Sequence, residues 1–165
     1  MIEKGKISQE PFIEILKTLE EAESANLVDW NAMNIASVDQ MNQPSSRMVL
    51  LKKISDDGLV FYTNYNSRKG KEIELNPKVA VNFWWRELKK QIRVEGFIEK
   101  ASEEDSDDYF NSRPLKSRVS AIISNQSSTI SSYEDLKNQI DNYLEQNDES
   151  SIKRPDHCGL YIIIC

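Results

Sequence analysis

The densest candidate for chemistry is the hexapeptide Asn66-Ser67-Arg68-Lys69-Gly70-Lys71. Its serine suits the N-cap of a helix, and a helix start presents unpaired backbone N–H groups and a positive dipole end to an anion such as phosphate. Arg68 adds a bidentate donor fork and Lys69 a point charge. A solvated helix with ordinary basic residues has the same composition, so the hexapeptide alone leaves both readings open. A second group lies in Arg47-Met-Val-Leu-Leu-Lys52-Lys53, where cations stand at both ends of an apolar strand. Strand alternation puts Arg47 and Lys53 on one face and Lys52 on the other, unless a bulge intervenes. The third group is Tyr109-Phe-Asn-Ser-Arg113-Pro-Leu-Lys116-Ser117-Arg118. Here Arg113 and Ser117 are placed to hold a second phosphate, or Arg113 simply complements a helix C-terminus.

What the sequence lacks points the same way. It has one histidine, His157, and two cysteines, Cys158 and Cys165. That inventory excludes a multi-histidine metal centre and a disulfide framework. There is no Gly-x-Ser-x-Gly, no P-loop and no Gly-x-Gly-x-x-Gly, so acyl transfer and nucleotide-triphosphate chemistry have no support. No catalytic residue and no metal ligand is assigned. The residues suit a reaction carried by a cofactor, with protein cations gripping its phosphate.

The charge distribution agrees. The net charge is −6, yet the stretch from Arg47 to Lys100 holds 12 basic and 7 acidic residues, against 9 basic and 20 acidic elsewhere. A basic block inside an acidic chain suggests a confined anion site rather than a nucleic-acid surface, although a solvated sheet face also accounts for it. The longest apolar run, Leu160 to Cys165, is far short of the roughly 20 residues of a membrane span. The N-terminal residues lack the apolar core of a secretory signal. The expectation is a cytoplasmic protein with no nucleic-acid or membrane partner.

The elements that must position these groups read as one domain over residues 1–165. Pro11, Phe12, Ile15, Leu16, Leu19 and Ala22 predict an N-terminal helix over about 9–25. Strands are predicted over Ala32–Val38, Arg47–Lys53, Leu59–Asn64, Val79–Trp85 and Gln91–Ile98, separated by turn-rich pieces. Helices follow from Ser67 to Leu75, from the acid-rich Ser102 to Phe110, and from Pro114 to about Ile123. Ser131 and Glu134 form a capping box before a further amphipathic helix. Glu145 to Asp156 is polar and expected to be mobile. The closing Tyr161-Ile-Ile-Ile needs a partner strand, either within a barrel or in a dimer. The class is α+β, with a mainly antiparallel sheet or barrel and flanking helices.

Taken in order, several segments resemble the pyridoxine/pyridoxamine 5′-phosphate oxidase family. They are Gln43-Pro-Ser-Ser-Arg-Met-Val-Leu-Leu-Lys52, Val60-Phe-Tyr-Thr-Asn64, Ser67-Arg-Lys69, Asn76-Pro77, Gln91-Ile-Arg-Val-Glu-Gly96, Tyr109-Phe-Asn-Ser-Arg-Pro114, Ser117 and Asn125-Gln-Ser-Ser128. The resemblance spans roughly residues 28 to 160, and its ordered set is highly specific. It implies a split β-barrel of the FMN-binding type, forming a homodimer with FMN at the subunit interface. The implied flavin contacts are Arg47, Met48, Val49, Leu50, Leu51, Lys52, Tyr62, Thr63, Arg68, Lys69, Gln91, Gln126 and Ser127. The implied holders of a phosphorylated B6 vitamer are Lys52, Tyr109, Arg113 and Ser117. The implied activity is oxidation of pyridoxamine or pyridoxine 5′-phosphate to pyridoxal 5′-phosphate with O₂ as acceptor. Two departures stand out. Cys158-Gly-Leu-Tyr161 replaces the family's Trp-Gly-Gly-Tyr, and the family's C-terminal segment with an Arg-Leu-His-Asp-Arg-like motif is absent from this sequence. The alternative they raise is a non-catalytic flavin- or pyridoxal-phosphate-binding barrel.

Overall fold

The structure, a computed structural model, describes residues 2–165. Its strands are β1 (Glu3–Lys4), β2 (Ala32–Val38), β3 (Pro44–Ser55), β4 (Gly58–Asn64), β5 (Lys78–Trp85), β6 (Lys90–Lys100) and β7 (Cys158–Ile164). The helices are α1 (Glu10–Ser24), α2 (Arg68–Leu75), α3 (Glu103–Ser112), α4 (Leu115–Ile123) and α5 (Tyr133–Gln146). Strands run in the order β1-β3-β2-β5-β6-β7-β4, and β4 returns to pair with β3. Six of them therefore close an antiparallel barrel, while β1 adds in parallel to β3. This is the α+β class that the residue patterns predict and the split β-barrel that the family resemblance implies.

Two compact units share the chain. One comprises Met1–Tyr62, Glu72–Lys100 and Tyr161–Cys165; the other comprises Thr63–Lys71 and Ala101–Leu160.

The first unit holds most of the barrel. β5 shows why it forms: Val79, Val81, Phe83 and Trp85 alternate inward while Lys78, Ala80 and Trp84 stay exposed, the period-two pattern of a half-buried strand. Met33 and Ile35 of β2 and Leu51 of β3 join this core. The closing strand finds its partner inside the barrel, with Phe97↔Ile164 through Lys100↔Tyr161 in register between β6 and β7. A Cβ on Gly96 would stand 2.1 Å from the Ile164 carbonyl oxygen, so only glycine admits β7 at that distance. Helix α1 buries Phe12, Ile15, Leu19 and Ala22. The Asp56 carboxylate, in the β3–β4 turn, accepts from Ser8 N, Ser8 Oγ and Gln9 N and so ties down the start of α1.

One alternation fails. The β3–β4 register shifts between Leu51 and Lys53, which is a bulge at Lys52. The extra residue resets the pleat, so the expected sharing of a face by Arg47 and Lys53 does not hold. Lys53 pairs instead with Glu3 at 2.9 Å.

The second unit is mainly helical. Ser102 Oγ accepts from Asp105 N at 3.0 Å and caps α3, whose first turn carries three acidic residues suited to the dipole. Helix α5 is capped by Ser132, which accepts from Asp135 N at 3.0 Å, rather than by the Ser131–Glu134 box. Ser131 bonds the Asp135 carboxylate instead. The Glu145–Asp156 stretch is anchored, contrary to the expectation of mobility. Glu149–Ser151 forms a 3₁₀ turn, Ile152 is buried, and Arg154 binds Asp107, Glu103 and the Cys158 carbonyl. Among the described residues no helix is long and apolar enough to cross a membrane, and no cluster of three or more His, Cys, Asp or Glu could hold a metal ion.

Candidate functional site

In the second unit, the start of α2 is built by side chains that precede it. Asn64 Oδ1 accepts from Asn66 N at 2.8 Å. The fully buried Ser67 donates its hydroxyl to the Asn64 carbonyl at 2.7 Å and receives Gly70 N at 3.3 Å. Ser67 is thus the cap that its sequence position predicts. Gly70 fits because the Tyr65 carbonyl oxygen lies 1.9 Å from where a Cβ would be.

Lys69 is the unusual residue of this corner, at 6% exposure. A buried ammonium persists only when hydrogen bonds orient and satisfy it. Its Nζ donates to Gln126 Oε1 at 2.7 Å and to Ser67 Oγ at 3.1 Å. The same Gln126 oxygen receives Thr63 Oγ1 at 3.3 Å. Ser127, in a left-handed backbone conformation (φ 69°), accepts from Arg68 N at 3.3 Å. Five of the residues expected as flavin contacts (Thr63, Arg68, Lys69, Gln126 and Ser127), two of them expected at its phosphate, therefore meet at one helix start. The donor set is a buried ammonium, a guanidinium, hydroxyls and helix-start amides, which is the chemistry of phosphate binding.

In the first unit, β3 carries Arg47 to Lys52. Met48 and Leu50 are exposed, Val49 is half-buried and Leu51 fully buried. Lys52 sits on the bulge, half-buried. Arg47 is gripped by a polar cluster absent from the sequence expectations. Its NH2 reaches Glu72 Oε2 at 3.0 Å and Ser45 Oγ, and its NH1 reaches Ser37 Oγ at 2.6 Å. Both serines also donate to Glu72 Oε2, at 2.6 and 2.7 Å. Gln91 is exposed on β6, where its Nε2 donates to Asn82 Oδ1 at 2.7 Å. Tyr62 is half-buried on β4.

Of the expected substrate residues, Tyr109, Arg113 and Ser117 lie in the second unit at the corner between α3 and α4, all half-buried. Arg113 is the residue at which α3 ends, in extended conformation, and Pro114 starts the next turn. Lys52 belongs to the other unit. The neighbouring cation Arg118 is buried and paired with Glu149, and Lys116 pairs with Asp141 at 3.2 Å. Sequence reasoning missed Glu72 and Arg154. Glu72 reads as an ordinary acid in a basic helix, and no local pattern links it to a residue 25 positions away.

The closed barrel with its capped, cationic helix start defines the split-barrel class. Within that class the chain belongs to the pyridoxamine 5′-phosphate oxidase family, whose model matches residues 19–146. It is 47% identical over 154 residues to a pyridoxine/pyridoxamine 5′-phosphate oxidase of Nostoc sp., covering 93% of this chain and 72% of that one. Identity to the enzyme named pyridoxine/pyridoxamine 5′-phosphate oxidase 2 of Hydrogenovibrio crunogenus is 40% over 163 residues, covering 99% of this chain and 76% of that one. Among solved structures, PhzG of Burkholderia lata, in complex with tetrahydrophenazine-1-carboxylic acid, superposes with a TM-score of 0.87 at 24% identity, covering 95% of this chain and 77% of that one. A pyridoxamine 5′-phosphate oxidase-related FMN-binding protein of Nostoc punctiforme gives 0.75 at 17% identity, covering 95% and 82%. At those identities the two structures speak for the fold.

Proposed function

We propose that this chain is an FMN-dependent oxidase that converts pyridoxamine or pyridoxine 5′-phosphate to pyridoxal 5′-phosphate with O₂ as acceptor. The observation that carries the reading is the buried Lys69 ammonium, oriented by Gln126 and Ser67 beside the capped start of α2. The oxidase names of relatives sharing 40–47% identity support it.

In this reading Arg68 and Lys69 bind the FMN phosphate, with Thr63, Gln126 and Ser127 holding them in place. Arg47 to Lys52, Tyr62 and Gln91 supply the remaining flavin contacts. Lys52, Tyr109, Arg113 and Ser117 bind the substrate phosphate and fix the vitamer's position. Bound FMN supplies a two-electron acceptor that O₂ reoxidises with release of hydrogen peroxide. The chain's own contribution is binding and orientation, which is why no acid–base pair is assigned. The assembly proposed is a homodimer with FMN at the subunit interface. Exposed Met48 and Leu50 on β3 and Trp84 on β5 support it, because large apolar side chains on an outer sheet face mark a contact surface.

The test is direct. Purified protein is expected to take up FMN, turn yellow, and form pyridoxal 5′-phosphate from either vitamer with matching oxygen consumption. Failure to take up FMN on reconstitution overturns the reading. FMN uptake without turnover would leave a flavin-binding barrel in place of an oxidase.

A further inference from the structure

The proposed function leaves the buried carboxylate of Glu72 without a role. Glu72 is 5% exposed, lies in α2 among basic neighbours, and directs one carboxylate oxygen at three donors: Ser37 Oγ, Ser45 Oγ and Arg47 NH2. All four residues lie within the first compact unit. Ser37 on β2 and Ser45 on β3 are paired in the β2–β3 register. Each accepts from the Arg47 guanidinium and donates to Glu72. The guanidinium is thereby clamped along one edge, with a further contact to the Ile35 carbonyl at 3.4 Å.

A purely structural ion pair does not need this arrangement. A well-packed apolar set of the same size stabilises a barrel at least as well as a buried pair. The clamp instead removes the rotamer freedom of a long side chain, which an arginine would otherwise lose on meeting a ligand. We infer that Glu72 is a positioning residue: with Ser37 and Ser45 it pre-orients Arg47 for the flavin and compensates its charge there. The inference rests on the reading of Arg47 as a flavin contact.

Removing the carboxylate while keeping its size has two consequences. Arg47 regains rotamers, so FMN binds more weakly. Its positive charge also becomes uncompensated, which favours the more negative reduced flavin and raises the midpoint potential of bound FMN.

The experiment titrates FMN onto the apoprotein of wild type, Glu72→Gln, Arg47→Gln and the double variant, with circular dichroism confirming that each is folded. Glu72→Gln is expected to weaken FMN about tenfold. The double variant is expected to bind like Arg47→Gln alone, because the proposed effect of Glu72 on the flavin runs through Arg47. The potential of bound flavin is expected to rise in Glu72→Gln and to show no such rise in the double variant relative to Arg47→Gln. A structural carboxylate would lower stability without this coupling in affinity or potential. If Arg47→Gln weakens FMN while Glu72→Gln does not, or if the two losses add, Glu72 has no positioning role. If Arg47→Gln itself binds FMN as wild type does, while Lys69→Met does not, the assignment of Arg47 as a flavin contact fails and the inference falls with it. Should Glu72→Gln not fold, Ser37→Ala with Ser45→Ala loosens the guanidinium while leaving the Glu72 carboxylate in place, so FMN is expected to weaken without a rise in potential, and unchanged FMN affinity overturns the inference.

Discussion

Arg154 and Lys69 are both cations with little exposed side chain, and both lie in the second compact unit. Arg154 donates to two carboxylates, those of Asp107 and Glu103, and to the Cys158 carbonyl at 2.6 Å. Those partners cancel its charge and tie the chain ahead of β7 to α3. The hydrogen bonds of Lys69 to Gln126 and Ser67 end on an amide oxygen and a hydroxyl. Those two acceptors orient the ammonium and carry no formal charge themselves. In the proposed reading Arg154 is a strut and Lys69 a ligand-binding group, and the two are expected to respond differently to mutation.

The largest effect separates them outright. Arg154→Ala removes two charge-assisted bonds and one to a carbonyl, and is expected to lower unfolding stability by about 2–3 kcal/mol. Urea denaturation should show this, while FMN affinity of the folded protein stays near wild type. Lys69→Met reverses the pattern: FMN affinity falls about a hundredfold and the apoprotein melts no lower than wild type. A Lys69→Met apoprotein as unstable as Arg154→Ala would erase the distinction. Gln126→Leu keeps the ammonium but removes its orienting oxygen, so fluorescence titration should find FMN weakened about tenfold.

The smallest effect concerns an exposed clamp. Hydrogen bonds from the Ser8 side chain, then from the Ser8 and Gln9 backbone, hold the Asp56 carboxyl below its ordinary value of 3.8. A depressed folded-state value contributes stability that is present above the unfolded value and is lost as pH falls through the folded one. Melting temperature followed downward from about pH 5 should therefore drop less steeply in Asp56→Asn than in wild type. Identical acid limbs would show that this carboxylate does not act on stability.

Much of the fold was legible because strand and helix periods are local. The alternation of Val79, Val81, Phe83 and Trp85 defines β5, and the serines at 67 and 102 mark their helix starts. Other features depended on neighbours that no window contains. The bulge at Lys52 follows from the pairing of β3 with β4 and separates Lys53 from Arg47. The choice of Ser132 over Ser131 as a cap is a one-residue difference between two equally suitable side chains. Arg154 looked like part of a loose polar stretch because its carboxylate partners lie 47 and 51 positions earlier.

By itself the sequence determined the α+β class and the cationic groups at Arg47, Arg68, Lys69 and Arg113. Residue type and short-range period carry all of that. Only the tertiary structure decided what each cation touches. Lys69 meets Gln126 across 57 positions and Arg47 meets Glu72 across 25. Such pairings arise when strands close into register and loops fold onto helix starts, and that long-range geometry leaves no period in the chain to be read.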